Sequence, residues 1–351
     1  MQKISLSSIL TGALTLSVAV SASVPPLNAS PGDVDLVQVA EAISQTFEAY
    51  HYDPDELLSA EYQRIDARMH QLAAASDSSE AFVAGFTALW SDGPFSHVRL
   101  SQSAQTAEEM AAYLDSLAIG GGGAVLGWQD DIAILTVNTM MGTDTIAEIE
   151  AAYRAISERG AASLIIDLRN NDGGAFAVKP LVEHVLGAPL EAGVFVSQAW
   201  NAEMDRAPTL ADLEGVVPWT GWSIRQFWQD AQNNRLTRIR FEPAEPVFAG
   251  PVYVLVSART ASAAELAADA LLSSGRTVLI GERTAGQMLS QKMYDLPGGL
   301  QLSLPIADYY SLAHGRIEGR GVQPAVEVPA ADAMSHALEV VAPYLSFPGK
   351  N

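Results

Sequence analysis

From about residue 131 the chain alternates apolar strands with amphipathic helices, and this alternation restricts its fold more than any other feature. Strands are predicted at 132–137, 163–169, 252–257 and 277–282. Helix-period segments lie between them: DTIAEIEAAYRAISERG, AVKPLVEHVLG and SAAELAADALLSSG. Strands that are apolar throughout are typical of a parallel sheet covered by helices on both faces. The sequence therefore predicts an α/β core.

Apolar residues at helical spacing also fill the segment before this core. They recur in DLVQVAEAISQTFEAY, DELLSAEYQRIDARMHQLAAA and SSEAFVAGFTALW. We therefore predict a helical N-terminal subdomain at residues 36–95 and a second domain at residues 96–345.

The first 22 residues are typical of a secretory signal peptide. Lys3 precedes a Ser/Thr-bearing apolar stretch, and small residues permit cleavage near Ala22. A membrane anchor is the alternative, but the apolar stretch is short, so we expect no stable membrane span after signal removal. A Pro/Ser/Gly-bearing linker is predicted at 23–35. We expect a periplasmic or secreted protein; the absence of Cys is compatible with export at this chain length.

The charge balance excludes one class of partner. With 41 acidic and 20 basic residues the formal net charge is −21. Such a chain offers no positive patch for phosphate backbones, so we expect no nucleic acid partner.

A Trp-rich stretch at about 190–250 separates the second predicted core helix from the strand at 252–257, and we predict an insertion or lid there. It holds four of the six tryptophans: Trp200, Trp219, Trp222 and Trp228. Aromatic residues on an insertion can form a local core, or they can form a wall that holds substrate. The sequence leaves both possibilities open.

Ser262 lies where the strand at 252–257 passes into the next helix. Together with Glu265 it fits the S-x-x-E capping box, in which both side chains bind backbone N–H groups of the first helical turn. A serine on a strand-to-helix turn among small residues is also how several hydrolases expose a nucleophile. The local pattern alone favours the cap.

A second turn follows the strand at 163–169, in the sequence Asn170-Asn171-Asp172-Gly173-Gly174. Glycines at this position free backbone N–H groups to point outward and bind an anionic oxygen. A plain tight turn is the alternative. A phosphate loop is not indicated, because G-x-x-x-x-G-K-[ST] is absent.

Three motifs in order resemble the tail-specific (C-terminal-processing) serine peptidase family over roughly residues 90–330. They are IIDLRNNDGG, SARTASAAELAADALLSSGRTVLIGERTAG and IEGRGVQPAVEVP. The resemblance implies a ClpP/crotonase-like α/β core of ββα units and hydrolysis of peptide bonds through an acyl-enzyme. It implies Ser262 as nucleophile, with an oxyanion hole from the backbone N–H groups of Gly174 and Ala263.

The general base differs between two branches of this family. One branch uses a lysine directly after T-x-G, but in this chain Gln287 stands there, and Lys292 lies too far along. Glutamine cannot accept a proton as a general base. The dyad of serine and lysine is therefore disfavoured.

The other branch resembles the tricorn protease core and the interphotoreceptor retinoid-binding protein modules. Its N-terminal Ser-His pair is matched by Ser96 and His97, and its glutamate before G-V-x-P is matched by Glu318. The resemblance implies His97 as base, Ser96 as the group orienting the imidazole, and Glu318 hydrogen-bonded to Ser262 or the imidazole. The chemistry itself requires a neutral imidazole within about 3 Å of the serine and a partner that fixes its tautomer.

Other polar residues receive lesser roles. His314 is a rival base or, with Glu318, a weak metal pair, but H-E-x-x-H is absent and we expect neither metal nor cofactor. Asp167 and Arg169 are expected to order the end of their strand.

The expected substrate is a peptide or an unfolded protein. The interval between His97 and the strand near residue 131 is too short for the PDZ module with which many family members capture a substrate C-terminus. The alternative is a catalytically silent member that binds a peptide or an apolar ligand in the same cleft. Acyl-CoA chemistry is disfavoured because so acidic a chain offers no basic groove for the CoA phosphates. The sequence leaves the oligomeric state unknown.

Overall fold

The computed structural model describes residues 34–345, and two six-stranded sheets dominate it. The predicted signal peptide, and the linker as far as residue 33, lie outside the described residues. No helix within 34–345 is long and apolar enough to cross a membrane.

The elements are numbered in chain order. The strands are β1 Arg99–Gln102, β2 Ala124–Gln129, β3 Ile132–Val137, β4 Ser163–Asp167, β5 Leu190–Ser197, β6 Leu236–Phe241, β7 Val252–Val256, β8 Thr277–Gly281, β9 Leu289–Leu296, β10 Leu300–Ser311, β11 Gly315–Arg316 and β12 Val326–Glu327. The helices are α1 Leu36–Tyr50, α2 Ala60–Ala75, α3 Ser79–Trp90, α4 Ala107–Ser116, α5 Thr143–Arg159, α6 Val178–Glu183, α7 Gln198–Asn201, α8 Ile224–Asn233, α9 Ala263–Ser273 and α10 Ala333–Leu345.

The first sheet contains the core that the alternating pattern predicts. Its order is β12-β8-β7-β4-β3-β2, and all its pairings are parallel except that of β2 with β3. All residues of β4 and β7 are buried, because α5, α6 and α9 share a core with one face of the sheet and α10 packs on the other. The α/β class and the four predicted strands are confirmed, whereas α6 is shorter than predicted.

The second sheet is antiparallel and was not predicted. β1, β5, β9 and β11 all pair with the long strand β10, and β6 pairs with β5. The stretch at about 190–250, expected to be an insertion or lid, contributes β5 and β6 to this sheet and is therefore part of the framework. The pairing joins residues far apart in the chain, and alternation within one segment does not identify its partner strand.

The three N-terminal helices pack against the second sheet. α1, α2 and α3 cover 36–90 as predicted, and their buried residues share one core with Leu300, Leu302 and Leu304 of β10. The rings of Phe47 and Trp90 stack with centroids 5.3 Å apart, and Phe95 packs against both. This cluster fixes the chain directly before Ser96 and His97.

Phe47→Ala is expected to lower the free energy of unfolding by about 3–5 kcal/mol, because Phe47 is 1% exposed and its removal leaves a cavity in the aromatic cluster. Denaturant unfolding measures the change. The matched control, Glu48→Ala, removes an exposed side chain of the same helix and should change the value by less than about 0.5 kcal/mol. Equal effects of the two variants would contradict the described packing.

Candidate active site

Ser262 ends the loop after β7 and directly precedes α9. Its backbone has φ 56° and ψ −124°, a conformation that costs a non-glycine residue about 1–3 kcal/mol. Its side chain makes no capping hydrogen bond, whereas its backbone N–H donates to Glu265 Oε2 at 3.1 Å. Only the glutamate half of the capping box is therefore formed, and the hydroxyl is not used to cap the helix.

The loop after β4 lies directly against Ser262. A Cβ at Gly173, where φ is 105°, would come within 2.7 Å of the Ser262 Cβ, so the position requires glycine. The buried Asn171 holds this loop: its side chain accepts from Gly173 N–H at 2.9 Å and donates to the Val137 carbonyl at 3.0 Å. Its backbone carbonyl accepts from Ala261 N–H at 3.1 Å, which joins the two loops.

Gly174 and Ala263 carry the two backbone N–H groups that are predicted to form an oxyanion hole. The N–H of Met140 donates to the Gly173 carbonyl, and the N–H of Ala175 donates to the Met140 carbonyl, as in a parallel bridge. The N–H of Gly174, between these two, therefore points away from Met140. Ala263 begins α9, where an N–H has no partner within the helix. Among the hydrogen bonds of residues 34–345 neither N–H is a donor, and both residues line the same cavity as Ser262.

His97 lines this cavity together with Ser262. Its Nδ1 lies 2.6 Å from Ser96 Oγ, the contact expected of an orienting serine, and Nε2 makes no hydrogen bond to any described residue. No hydrogen bond joins the imidazole to the Ser262 hydroxyl within the described chain. His97 has φ 64°, and only Ser262 and Asp130 share a positive φ with it among the non-glycine residues from 34 to 345.

The surroundings of His97 keep its imidazole neutral. Burial, and then the positive charge of Arg99, lower the pKa of His97 to about 4. At neutral pH the ring therefore lacks the second proton, which is the form that a general base requires.

Glu318 supports the segment around Ser96. Its carboxylate is 8% exposed and accepts from Ser96 N–H at 3.3 Å and from Met288 N–H at 2.6 Å. The predicted hydrogen bond to Ser262 or to the imidazole does not occur among the described residues; the carboxylate binds these two backbone donors instead. Glu318 thus acts on the site through the backbone beside His97.

Glu265 is the polar residue whose importance the sequence reasoning missed. Its fully buried carboxylate accepts four hydrogen bonds, which come from Ser262 N–H, Gln287 N–H, Gly286 N–H and Thr284 Oγ1 at 3.1, 2.8, 2.7 and 2.5 Å. Burial raises the pKa of Glu265, and the four donors oppose this rise. The S-x-x-E pattern was the available signal; it indicated the contact with Ser262 but not the other three.

The alternative bases lie elsewhere. Lys292 donates to Gln232 Oε1 at 2.6 Å and His314 Nδ1 lies 2.7 Å from Asp269 Oδ1; neither residue lines the cavity within the described chain. Gln287, at the position of the dyad lysine, does line it.

The end of β4 is ordered as expected. Arg169 donates two hydrogen bonds to the carboxylate of Asp167, at 2.9 and 2.7 Å. A paired guanidinium and carboxylate of this kind hold the strand end together.

The cavity that Ser262 and His97 share has a volume of about 590 Å³. Trp219 and Trp228 line it, whereas Trp200 belongs to a separate apolar cluster and Trp222 is 48% exposed. Tryptophans of this stretch thus contribute both to a local apolar core and to the lining of the cavity.

A serine on a strained strand-to-helix turn, two backbone donors and a neutral imidazole around one cavity define the class of serine-type peptidases and related hydrolases. Residues 131–328, more than half of the chain, match the family described as Peptidase family S41. The chain belongs to peptidase family S41, which confirms the serine peptidase class predicted from the three motifs.

Individual relatives agree with this family. A carboxyl-terminal-processing protease of Picosynechococcus sp. is 28% identical over 182 residues, which are 52% of this chain and 36% of that protein. The chain thus spans about a third of the length of the curated relatives it matches.

Two solved structures share the fold. A lipoprotein from Streptococcus agalactiae has a TM-score of 0.57 at 16% identity, covering 90% of this chain and 99% of that chain. The photosystem II D1 C-terminal processing protease has a TM-score of 0.51 at 16% identity, covering 84% of this chain and 93% of that chain. These similarities confirm the ClpP/crotonase-like α/β fold.

The burial of His97 and the positive charge of Arg99 predict how the imidazole titrates. We expect His97 to titrate near pH 4, and Arg99→Gln to raise its pKa, because the variant removes a positive charge that disfavours the imidazolium. An NMR titration of the histidine side chains measures both values. His314 is the internal control: Asp269 raises its pKa above 6.5, and Arg99→Gln should leave it unchanged. An ordinary pKa for His97 in the unmodified protein would contradict the described burial.

Glu265→Gln is expected to lower the free energy of unfolding by about 1–3 kcal/mol, because an amide NH₂ would face donors that now meet a carboxylate oxygen. Denaturant unfolding tests this. Glu158→Gln, at an exposed position of α5, is the control and should change little. Stability unchanged by Glu265→Gln would show that the four hydrogen bonds do not hold this loop.

Proposed function

We propose that this chain hydrolyses peptide bonds of peptides or unfolded proteins through an acyl-enzyme, with Ser262 as nucleophile and His97 as general base. The observation that supports this most is the backbone of the two residues. Both are held at positive φ, which a serine or histidine adopts only where the surrounding structure imposes it, and both face the same cavity. A helix cap or a structural histidine requires neither feature.

The proposed reaction follows from the positions of these groups. Ser262 Oγ attacks the substrate carbonyl carbon while its proton passes to His97 Nε2, and Ser96 Oγ holds Nδ1. The N–H groups of Gly174 and Ala263 stabilise the developing oxyanion, each by about 3 kcal/mol. The imidazolium then protonates the leaving amine, and a water activated by the same imidazole releases the acyl group.

Supporting residues act on these groups indirectly. Glu265 fixes the backbone of Ser262 and of Gln287, and Glu318 fixes the backbone of Ser96 and of Met288. Gln287 stands in the cavity where a dyad lysine would lie but has no proton-accepting nitrogen. These contacts favour the branch that uses Ser96, His97 and Glu318.

Substrate selection is proposed to lie in the cavity itself. Between His97 and β3 the structure places β1, α4 and β2, so a PDZ module does not occupy this interval. We place the reaction in the periplasm or outside the cell on the basis of residues 1–22 alone.

Ser262→Ala and His97→Ala should each lower kcat/KM for an unfolded polypeptide on the order of 10⁴-fold, because nucleophile and base act as a unit. Gln287→Ala, in the same cavity, is the control and should retain activity within about tenfold. Cleavage assays on the purified proteins measure these values. Activity retained in Ser262→Ala, or lost equally in Gln287→Ala, would refute the assignment.

A fluorophosphonate probe separates the proposal from the silent alternative. Such a probe reacts with activated serines, so the peptidase should be labelled at Ser262 and the Ser262→Ala variant should not. An unlabelled protein that retains a peptide or an apolar ligand tightly would instead be the binding member of the family.

A further inference from the structure

The cavity beside Ser262 has one wall made almost entirely of large apolar side chains. Phe176, Phe195, Trp219, Phe227 and Leu266 line it. Phe195 and Leu266 are buried in the framework, whereas Phe176, Trp219 and Phe227 keep part of their surface open to the cavity. An open aromatic surface inside a cavity is typical of a site that holds an apolar ligand group.

This apolar wall begins next to the reacting groups. Leu266 lies in the first turn of α9, directly after Ser262, and both residues line the cavity. Phe176 follows Gly174, one of the oxyanion donors, by two residues. A substrate carbonyl held between Ser262 and these donors therefore places the side chain of its own residue close to the wall.

Contacts among its own side chains hold the apolar wall in place. The rings of Phe176 and Trp219 stack at 5.3 Å, and Trp219 and Phe227 meet edge to face at 5.1 Å. Trp219 is fixed further, because its indole N–H donates to Asp230 Oδ2 at 3.1 Å and its backbone N–H donates to the Arg238 carbonyl at 2.9 Å. A surface ordered in advance loses little entropy when a side chain docks on it.

The charges around the apolar wall disfavour basic side chains. Lys179 is half-buried, and its ammonium donates to the Thr220 carbonyl at 3.0 Å and lies 4.3 Å from the Trp222 ring. Asp172, which is exposed, is the one carboxylate among the described residues that line the cavity. A substrate lysine or arginine would therefore lose its hydration without gaining a buried partner.

We infer that the apolar wall selects substrates with a large apolar or aromatic side chain on the residue whose carbonyl is attacked, and that Phe176 and Trp219 determine this specificity. The inference rests on the proposed peptidase function and names its substrate class.

The experiment compares peptides that differ only at the residue donating the attacked carbonyl, with Phe, Leu, Ala or Lys there. We expect kcat/KM for Phe and Leu to exceed that for Ala by about 10- to 100-fold, with Lys lowest. Trp219→Ala and Phe176→Ala should each lower the value for the Phe peptide about tenfold while leaving that for Ala within about threefold. Leu210→Ala, which alters an exposed apolar side chain of the same Trp-rich stretch outside the cavity lining, is the control and should keep the preference.

The outcomes separate the inference from the proposed function. Cleavage of the Phe and Ala peptides with equal kcat/KM overturns the inference and leaves the peptidase assignment intact. Failure of the unmodified protein both to cleave and to react with the fluorophosphonate probe overturns the peptidase assignment. If Trp219→Ala abolishes both the cleavage of every peptide and the reaction with the probe, the role of Trp219 is structural. Phe176→Leu then provides the test, because it removes the aromatic face but keeps an apolar side chain. This variant should lower the ratio of kcat/KM for the Phe peptide to that for the Leu peptide, and an unchanged ratio overturns the inference.

Discussion

The parallel pairing of β4 with β7 is the constraint on which the site depends. Parallel neighbours direct their carboxyl ends to one edge of a sheet, so the loop with Gly173 and Gly174 leaves beside the loop with Ser262. The close approach at Gly173 leaves no room for a side chain. The proposed nucleophile and the two proposed oxyanion donors thus come from adjacent segments at one edge of the sheet.

Two buried carboxylates connect this edge to the rest of the molecule. Glu265 ties the start of α9 to the loop before β9, and Glu318 ties that loop to the segment that carries Ser96. Both accept backbone N–H groups, so each fixes main chain rather than one side chain. The positive φ angles of Ser262 and His97 persist because such contacts hold the backbone on either side.

The second sheet positions the segment that carries His97 and part of the apolar wall. β10 pairs with β1, directly after His97, and with β5, which carries Phe195 of the apolar wall. The N-terminal helices pack on the same sheet and fix Phe95 beside Ser96. The proposed base and the apolar wall therefore depend on pairings between distant segments.

The sequence by itself determined the parallel core, the helical N-terminal part, the family and the residue types of the site. Each of these is indicated by local hydrophobic periodicity or by a short motif. It named Ser262, His97, Ser96, Gly174 and Ala263, all of which the structure brings to one region. Only the tertiary structure decided that Glu318 meets the Ser96 backbone, that Glu265 takes four donors, and that Trp219 faces the cavity while Trp200 does not. These contacts depend on which strands pair and in which register. Hydrophobic periodicity and short motifs do not show which distant segments of the chain meet in space.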